Sequence, residues 1–398
     1  MRLVFALEHR FDRTPDGRIW TQATYRYQFW ERYLDVFERV QVVSRVRDVA
    51  TAPLDSGRAD SEQVSFLPLP CYIGPEQYLL NMREVARRIR SSYADEACFI
   101  ARGPGAIGTR MIKELAQREH PYGLEVVGDP RDLFSPDAVR HPLRPLFRWW
   151  FSRNLERQCA RAAAATYVTE HALQHRYPCP AFTVGVSDVE LPGAAFASEP
   201  RRYSRTDGAF NLIFVGTLAQ QYKAPHILID AAAACVAEGL DLQLVMVGDG
   251  KHRGELEARA RNCGMGDRVK FLGQVPAGIP VRKQLDDSDL FVLPSYQEGM
   301  PRAMLEAMAR GLPCIGTTVG GIPELLSEED MVPPGDARAL ADKIRGVSRD
   351  PGRLSMMSER NLEKAGLYSD RLLKTKRTAF YKYLHDLTQT WLSQKKES

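Results

Sequence analysis

Residues 290–311 read LFVLPSYQEGMPRAMLEAMARG and residues 313–324 read PCIGTTVGGIPE. The run from Leu290 to Leu293 is apolar on both faces, as in a parallel strand covered on each side by helices. A polar loop follows, and then an amphipathic stretch with Pro301 suited to the first helical position and Gly311 just past the end. The reading is strand, loop, helix. The same order begins again at Pro313, where Gly320 and Gly321 precede Pro323, which is predicted to open another helix.

Backbone N–H groups left unpaired where a strand feeds a helix, together with the helix dipole, favour a phosphate. Glu298 and Gly299 lie in such a loop. Glu306 stands one to two turns into the helix, at about 1.5 Å per residue, where its carboxylate can accept hydrogen bonds from sugar hydroxyls beside that phosphate. Gly320 and Gly321 form a second backbone-lined anion site. Phe214–Val215–Gly216–Thr217–Leu218 forms a third, with Lys223 downstream as a point charge for a diphosphate. Two isolated glutamates would read as solvated surface, but three such loops in series point to a bound nucleotide sugar.

Working outward, short apolar runs recur at 2–7, 40–44, 64–69, 98–102, 124–128, 166–169, 211–216, 242–248, 269–273, 290–294 and 313–318, each followed by a turn signal and a helical pattern. That alternation predicts a doubly wound α/β fold. A stretch rich in Pro, Gly, Ser and charge predicts a linker over 193–210. The expected domains are 1–192 and 211–368, with 369–398 a helix packing back on the first. Ligands in such folds bind beyond the carboxyl ends of the strands.

Composition limits the function classes. The 398 residues carry 54 Lys plus Arg against 50 Asp plus Glu, a formal net charge of +4, which excludes a nucleic-acid-scale positive field. Hydrophobic residues at 44% and charged residues at 26% fit a chain with sizeable cores rather than disorder. The seven cysteines are scattered and never form C-x-x-C, against a disulfide framework or zinc knuckle. No apolar run is long enough for a membrane span, and the expected location is cytoplasmic.

The E-G-x-x-x-x-x-x-E-A-M-A run followed by V-G-G-x-x-E resembles the retaining nucleotide-sugar-dependent glycosyltransferases of family 4, which have the GT-B fold of two facing Rossmann-like domains. The resemblance is strongest over 211–345 and weak in the N-terminal half, and it implies that 1–192 binds the acceptor and 211–368 the donor. It implies that Glu306 holds ribose hydroxyls, that Glu298 and the backbone from Gly299 through Met300 to Pro301 hold the donor sugar, and that Lys223 neutralises the departing diphosphate. It places Gly216, Thr217, Gly248, Arg302, Gly320 and Gly321 around the donor and Val275 near the base. Two positions depart from the family pattern. Thr217 stands where an arginine is usual, with Lys223 one residue farther on, so Arg302 or Lys251 would substitute. Val127–Gly128–Asp129 replaces a strand-end histidine, giving Asp129 either the acceptor hydroxyl or a helix-capping role.

Residues 140–161 carry six arginines against one glutamate, a local formal charge of +5, interleaved with Phe147, Trp149, Trp150 and Phe151. They read either as a domain-packing helix or as a peripheral contact with an anionic membrane. Asp16 and Gly17 lie in a loop after the first strand, where the acceptor would enter, and Trp20 offers a ring to stack on a sugar; Tyr25 to Tyr33 read as core. Gly248–Asp249–Gly250–Lys251–His252–Arg253–Gly254 misses a dinucleotide fingerprint by one residue. His171 and His175 lack the intervening glutamate of a zinc protease.

The expectation is therefore a retaining transfer from a nucleotide-diphosphate sugar to a hydroxyl acceptor on a polysaccharide, lipid-linked saccharide or other glycoconjugate, by a front-face path without metal or cofactor. The alternatives are a nucleotide-sugar 2-epimerase of the same fold or an inactive sugar-nucleotide-binding subunit.

Overall fold

The computed structural model describes residues 1–134, 141–204 and 208–397. The chain forms two compact units. The first comprises Met1–Pro130, Leu146–Val186 and the chain from Lys374; the second comprises Ser187–Leu373 with Arg131–Pro145.

The first unit holds β1 (Arg2–Arg13), β2 (Ile19–Thr21), β3 (Arg39–Asp48), β4 (Gly57–Arg58), β5 (Val64–Leu69), β6 (Ala97–Gly103), β7 (Gly123–Val126), β8 (Ala164–Tyr167) and β9 (Phe182–Gly185). Its parallel sheet runs β5-β3-β1-β6-β7-β8-β9, and an antiparallel β1-β2-β4 ribbon extends from it. The helices are α1 (Tyr27–Leu34), α2 (Gly74–Ser91), α3 (Ala106–Ala116), α5 (Arg144–Arg161) and α6 (Ala172–Arg176), with a single turn α4 (Pro130–Leu133) where the chain leaves this unit at Pro130. Of the aromatics predicted as core, Phe29, Trp30 and Tyr33 are buried, with Trp30 edge-on to Phe5 at 5.6 Å between ring centroids, while Tyr25 and Tyr27 are half-buried against that core.

The second unit holds β10 (Phe210–Val215), β11 (Leu242–Val247), β12 (Val269–Gly273), β13 (Leu290–Leu293), β14 (Cys314–Thr317) and β15 (Met331–Val332). All pairings are parallel, in the order β12-β11-β10-β13-β14-β15. Its helices are α7 (Pro225–Ala237), α8 (Arg253–Asn262), α9 (Ile279–Asp286), α10 (Arg302–Ala309), α11 (Ala337–Ser348) and α12 (Pro351–Gly366). The chain winds outward from β10 through β11 to β12, then returns to β13 and proceeds the other way. The topological switch point is therefore between β10 and β13, where open α/β sheets bind ligands. Together the two parallel-sheet units make the GT-B fold.

The last helix, α13 (Asp370–Glu397), sends Phe380, Tyr381 and Leu384 into the core of the first unit. Gly123 leaves the room for it, since a β-carbon there would meet Leu384 Cδ2 at 2.6 Å. Burial of each such side chain stabilises by about 2 kcal/mol. A buried ion pair between Arg102 and Glu125, 2.5 Å apart, lies beneath this helix. The hydroxyls of Tyr33 and Tyr381 donate to Glu125 Oε1 at 2.9 and 3.3 Å. The carboxylate thus keeps partners on both oxygens.

Two expected helix starts differ. Pro301 precedes α10 in extended conformation rather than occupying its first position. Pro323 opens only a three-residue 3-10 turn, Ile322–Glu324, too short to carry a helix-dipole anion site. Gly311, with φ of +61°, does end α10 as read from the sequence.

Candidate functional site

At the switch point of the second unit, the loop after β13 carries Glu298 and the loop after β10 carries Lys223. Lys223 ends a 3-10 turn, Gln221–Lys223, closed by Ala224 in the left-handed region, which starts α7. Its Nζ lies 2.5 Å from Glu298 Oε1, and both side chains are largely buried. Ser295 Oγ donates to the same carboxylate oxygen at 2.6 Å, while Thr317 Oγ1 donates to the Ser295 carbonyl at 2.7 Å. The Tyr296 N–H donates to the Tyr222 carbonyl at 2.8 Å, so the loops bearing the two charged residues are joined through backbone as well. The sequence reading placed Glu298 and Lys223 at one site but missed Ser295, Tyr296 and Thr317. Ser295 and Tyr296 sit directly between the end of β13 and Glu298, which was the available signal.

Gly320 and Gly321 press against this loop. A β-carbon on Gly320 would lie 1.8 Å from the Glu298 carbonyl oxygen, and the Gly321 N–H donates to the Gly299 carbonyl at 2.7 Å. That N–H is thereby occupied, which differs from the expected second anion cradle: the glycine pair packs the Glu298 loop closely. Gly299 and Met300 carry N–H groups, Met300 is buried, and Pro301 has none to offer.

The strand ends on the other side are built alike. The Gly216 N–H donates to the Val247 carbonyl and the Gly248 N–H to the Gly273 carbonyl, each at 2.9 Å. A β-carbon on Gly248 would lie 1.9 Å from the Gly216 carbonyl oxygen. Thr217 is exposed and its Oγ1 accepts from the Ala219 N–H at 3.1 Å. Two backbone bonds, Leu218 to Asp249 at 3.0 Å and His252 to Leu218 at 3.2 Å, clamp this loop to the segment holding Lys251. Val275 is half-buried two residues beyond β12.

Glu306 lies in the second turn of α10. Burial holds its carboxyl above the usual carboxylate range, opposed by the guanidiniums of Arg302 and Arg282 and reinforced by Glu190. Among the described residues it accepts no side-chain hydrogen bond and forms no ion pair. A half-buried carboxylate with no partner is costly, and it remains available to hydroxyl donors. Arg302 is exposed at the start of the same helix.

In the first unit the expectations fare differently. Asp129 follows β7 as read, but it is buried, ion-paired with Arg176, and accepts the Tyr177 hydroxyl at 2.6 Å. With both oxygens engaged it anchors α6 to the sheet edge and is not a free base toward a hydroxyl, a correction to the acceptor role read from its strand-end position. Asp16 and Gly17 form the turn after β1, at that strand's carboxyl end as read from the sequence, and Trp20 lies in β2, which pairs back antiparallel to β1. β1 pairs β6 only from Arg2 to Ala6 and then runs on to Arg13 beside β3 after a register shift. The hairpin is self-satisfied: Thr14 Oγ1 donates to Asp16 Oδ1 at 2.5 Å, and the Trp20 indole N–H donates to Thr14 Oγ1 at 3.0 Å.

The edge itself holds Glu8 and His9, which the sequence reading did not single out. Glu8 accepts from the Ile107 N–H and the Tyr72 hydroxyl, both at 3.0 Å. Burial, with the charge of Arg45, lowers the His9 pKa to about 4. Among the described residues no group of three or more His, Cys, Asp or Glu gathers as a metal site, and no helix is long and apolar enough to cross a membrane. Residues 141–161 of the basic stretch lie on and before α5, while Arg140 falls outside the described residues.

Known proteins share this fold and part of this sequence. Residues 209–350 match the family model described as Glycosyl transferases group 1. The chain is 23% identical over 348 residues to Protein CapJ of Staphylococcus aureus, covering 86% of this chain and 85% of CapJ. It is 31% identical over 196 residues to the putative colanic acid biosynthesis glycosyltransferase WcaL of Escherichia coli K12, covering 47% of each chain, so it spans about half of that relative. Among solved structures, Anabaena HepE in complex with UDP has a TM-score of 0.66 at 16% identity, covering 97% of this chain and 100% of that one. The fold and these matches together support a glycosyltransferase of the GT-B fold, with residues 209–350 similar to the group 1 glycosyl transferases.

Proposed function

We propose that the protein transfers a sugar, with retention of anomeric configuration, from a nucleotide-diphosphate sugar to a hydroxyl on a polysaccharide, lipid-linked saccharide or related acceptor. The observation that carries this reading is the Lys223–Glu298 pair, 2.5 Å apart at the switch point between β10 and β13. Glu298, with the Gly299 and Met300 N–H groups, holds the donor sugar. Glu306 accepts from the ribose hydroxyls, and Val275 borders the base. Lys223 turns to the diphosphate when the donor enters, with Arg302 or Lys251 adding charge where Thr217 supplies none.

As the bond from the anomeric carbon to the phosphate oxygen breaks, that oxygen takes the acceptor's hydroxyl proton and the acceptor oxygen bonds to the same face of the carbon. Lys223 and the loop N–H groups stabilise the developing charge, and no metal or cofactor is invoked. Trp20 offers the acceptor a stacking face, and the reaction belongs at the cytoplasmic face of a membrane, reached through 140–161. HepE, by the description of its structure, binds UDP, which makes UDP the first nucleotide to test.

The test is a thermal-shift series with UDP, GDP, ADP and dTDP, with and without magnesium, since a ligand of the folded state raises stability by RT ln(1 + [L]/Kd). A shift with one nucleotide, unaffected by magnesium and lost in Glu306→Ala, is the expected result. Absence of any shift at millimolar concentration sinks the donor site. Release of sugar from the donor without an acceptor would favour the epimerase instead.

A further inference from the structure

The first unit leaves large apolar side chains exposed at two places that the fold brings onto one layer. In α2 and just before it, Ile73, Leu79 and Leu80 are 62%, 63% and 86% exposed; in α5, Leu146, Trp149 and Trp150 are 52%, 62% and 41% exposed. Scattered exposed leucines mean little, whereas clustered ones mark an interaction surface.

In α5 the buried residues are Ser152, Leu155 and Cys159. At 3.6 residues per turn, Leu146, Trp149, Trp150, Arg153 and Arg157 share the opposite face. In α2, Val85, Ala86 and Ile89 are buried, and Leu80, Arg83 and Arg87 fall on the outward side. Each apolar cluster is thus followed, on its own face, by arginines. Arg83 and Arg157 form no ion pair among the described residues, whereas Arg87 and Arg153 pair with Glu84 and Glu156 at 2.5 and 3.0 Å.

Topology sets the two helices in one layer. The crossovers β5-α2-β6, β6-α3-β7 and β7-α5-β8 all proceed in one direction along the sheet, so right-handed connections put α2, α3 and α5 on the same face. α3 lies between, joined to α5 by the Gln158 amide donating to Thr109 Oγ1 at 2.9 Å. All three helices begin at the carboxyl edge of the sheet, and the apolar clusters occupy the first halves of α2 and α5. They therefore flank the edge at which ligands of this fold enter.

We infer that α2 and α5 together form a lipid-docking face whose occupant is an anionic bilayer surface. Leucine and tryptophan side chains enter the headgroup region while the arginines meet lipid phosphates. Pairing two ridges fixes the orientation of the sheet edge toward the membrane, which one basic helix would not do. The inference rests on the proposed membrane-side acceptor and extends it from residues 140–161 to α2.

The full chain is to be sedimented with vesicles of phosphatidylcholine alone or mixed with phosphatidylglycerol, at low and high salt, beside Leu79→Ser/Leu80→Ser and Trp149→Ser/Trp150→Ser. The expected result is salt-sensitive binding to the phosphatidylglycerol vesicles that falls roughly tenfold or more in each double variant. The nucleotide-induced thermal shift should be unchanged in both. Loss in the α5 variant alone overturns the two-helix face, and binding that ignores phosphatidylglycerol overturns the anionic-lipid assignment. A dimer in solution that both variants dissolve assigns the face to a second copy instead. Vesicle binding without any nucleotide shift would refute the proposed function and leave this face standing, and the reverse result would do the opposite.

Discussion

Gly320 stands so close to Glu298 that a β-carbon on it would lie 1.8 Å from the Glu298 carbonyl oxygen, with φ of +54° at the glycine. Neither the backbone conformation nor the space admits a side chain. Gly320→Ala must push the Glu298 loop away from the strand-end loop of β14. The expected cost is about 1–3 kcal/mol of stability, with nucleotide affinity reduced as well. Urea denaturation and a UDP titration read the two effects, and a variant equal to the wild type in both would remove Gly320 from the site.

Lys223 and Glu298 are a largely buried pair whose third partner is the Ser295 hydroxyl. Breaking such a pair on one side leaves an uncompensated charge, at about 3–5 kcal/mol. Lys223→Met should therefore destabilise more than Lys223→Met combined with Glu298→Gln, because the second change removes the stranded charge. Both variants should lose transfer by roughly a hundredfold or more. A thermodynamic cycle measures the coupling, and strictly additive single effects would show that the pair does not act as a unit.

The sequence made the parallel strands with apolar runs legible, four-residue β7, β8, β13 and β14 among them, and left the remaining short strands unread. Val64–Leu69 and Val269–Gly273 have the bounds that their apolar runs predict. β2, β4, β9 and β15 span two to four residues and carry no continuous apolar run to register. β1 was underestimated because Glu8, His9 and Arg10 interrupt its apolar run while its backbone pairing continues. At the site, Glu298 and Lys223 were readable from their place after strands, a local signal. What Asp129 does was not readable, since its partner Arg176 lies 47 residues away. The Gly320–Gly321 pair was read as an anion site, whereas what approaches its backbone is the Glu298 loop.

His9 makes the acid limb of stability testable. Its pKa is lowered to about 4 by burial and by the charge of Arg45. Between its ordinary value of 6.5 and that lowered value, the unfolded chain binds a proton that the folded chain does not. Stability is therefore full above pH 6.5 and declines as pH falls toward 4, by up to about 3 kcal/mol. His120 and His226, also lowered by burial, act in the same direction. His9→Gln should flatten part of this decline in urea midpoints measured across the range, and an unchanged slope would place the proton uptake elsewhere.

Glu306 separates binding from stability. Its carboxyl, raised by burial, has no hydrogen-bond or ion-pair partner among the described residues, so the folded chain carries a penalty at neutral pH. For a carboxyl with a raised folded pKa the sign is opposite to the usual one: the penalty is present above that value and relieved as pH falls through it. Glu306→Ala should leave the ligand-free protein as stable or more stable, by about 1 kcal/mol. The nucleotide should lose its stabilising effect in the same variant. A surface carboxylate of no consequence would change neither quantity, and a structural one would lower stability. Only a group held unsatisfied for a ligand gains stability in the free protein while losing affinity. Calorimetry with and without UDP distinguishes the three.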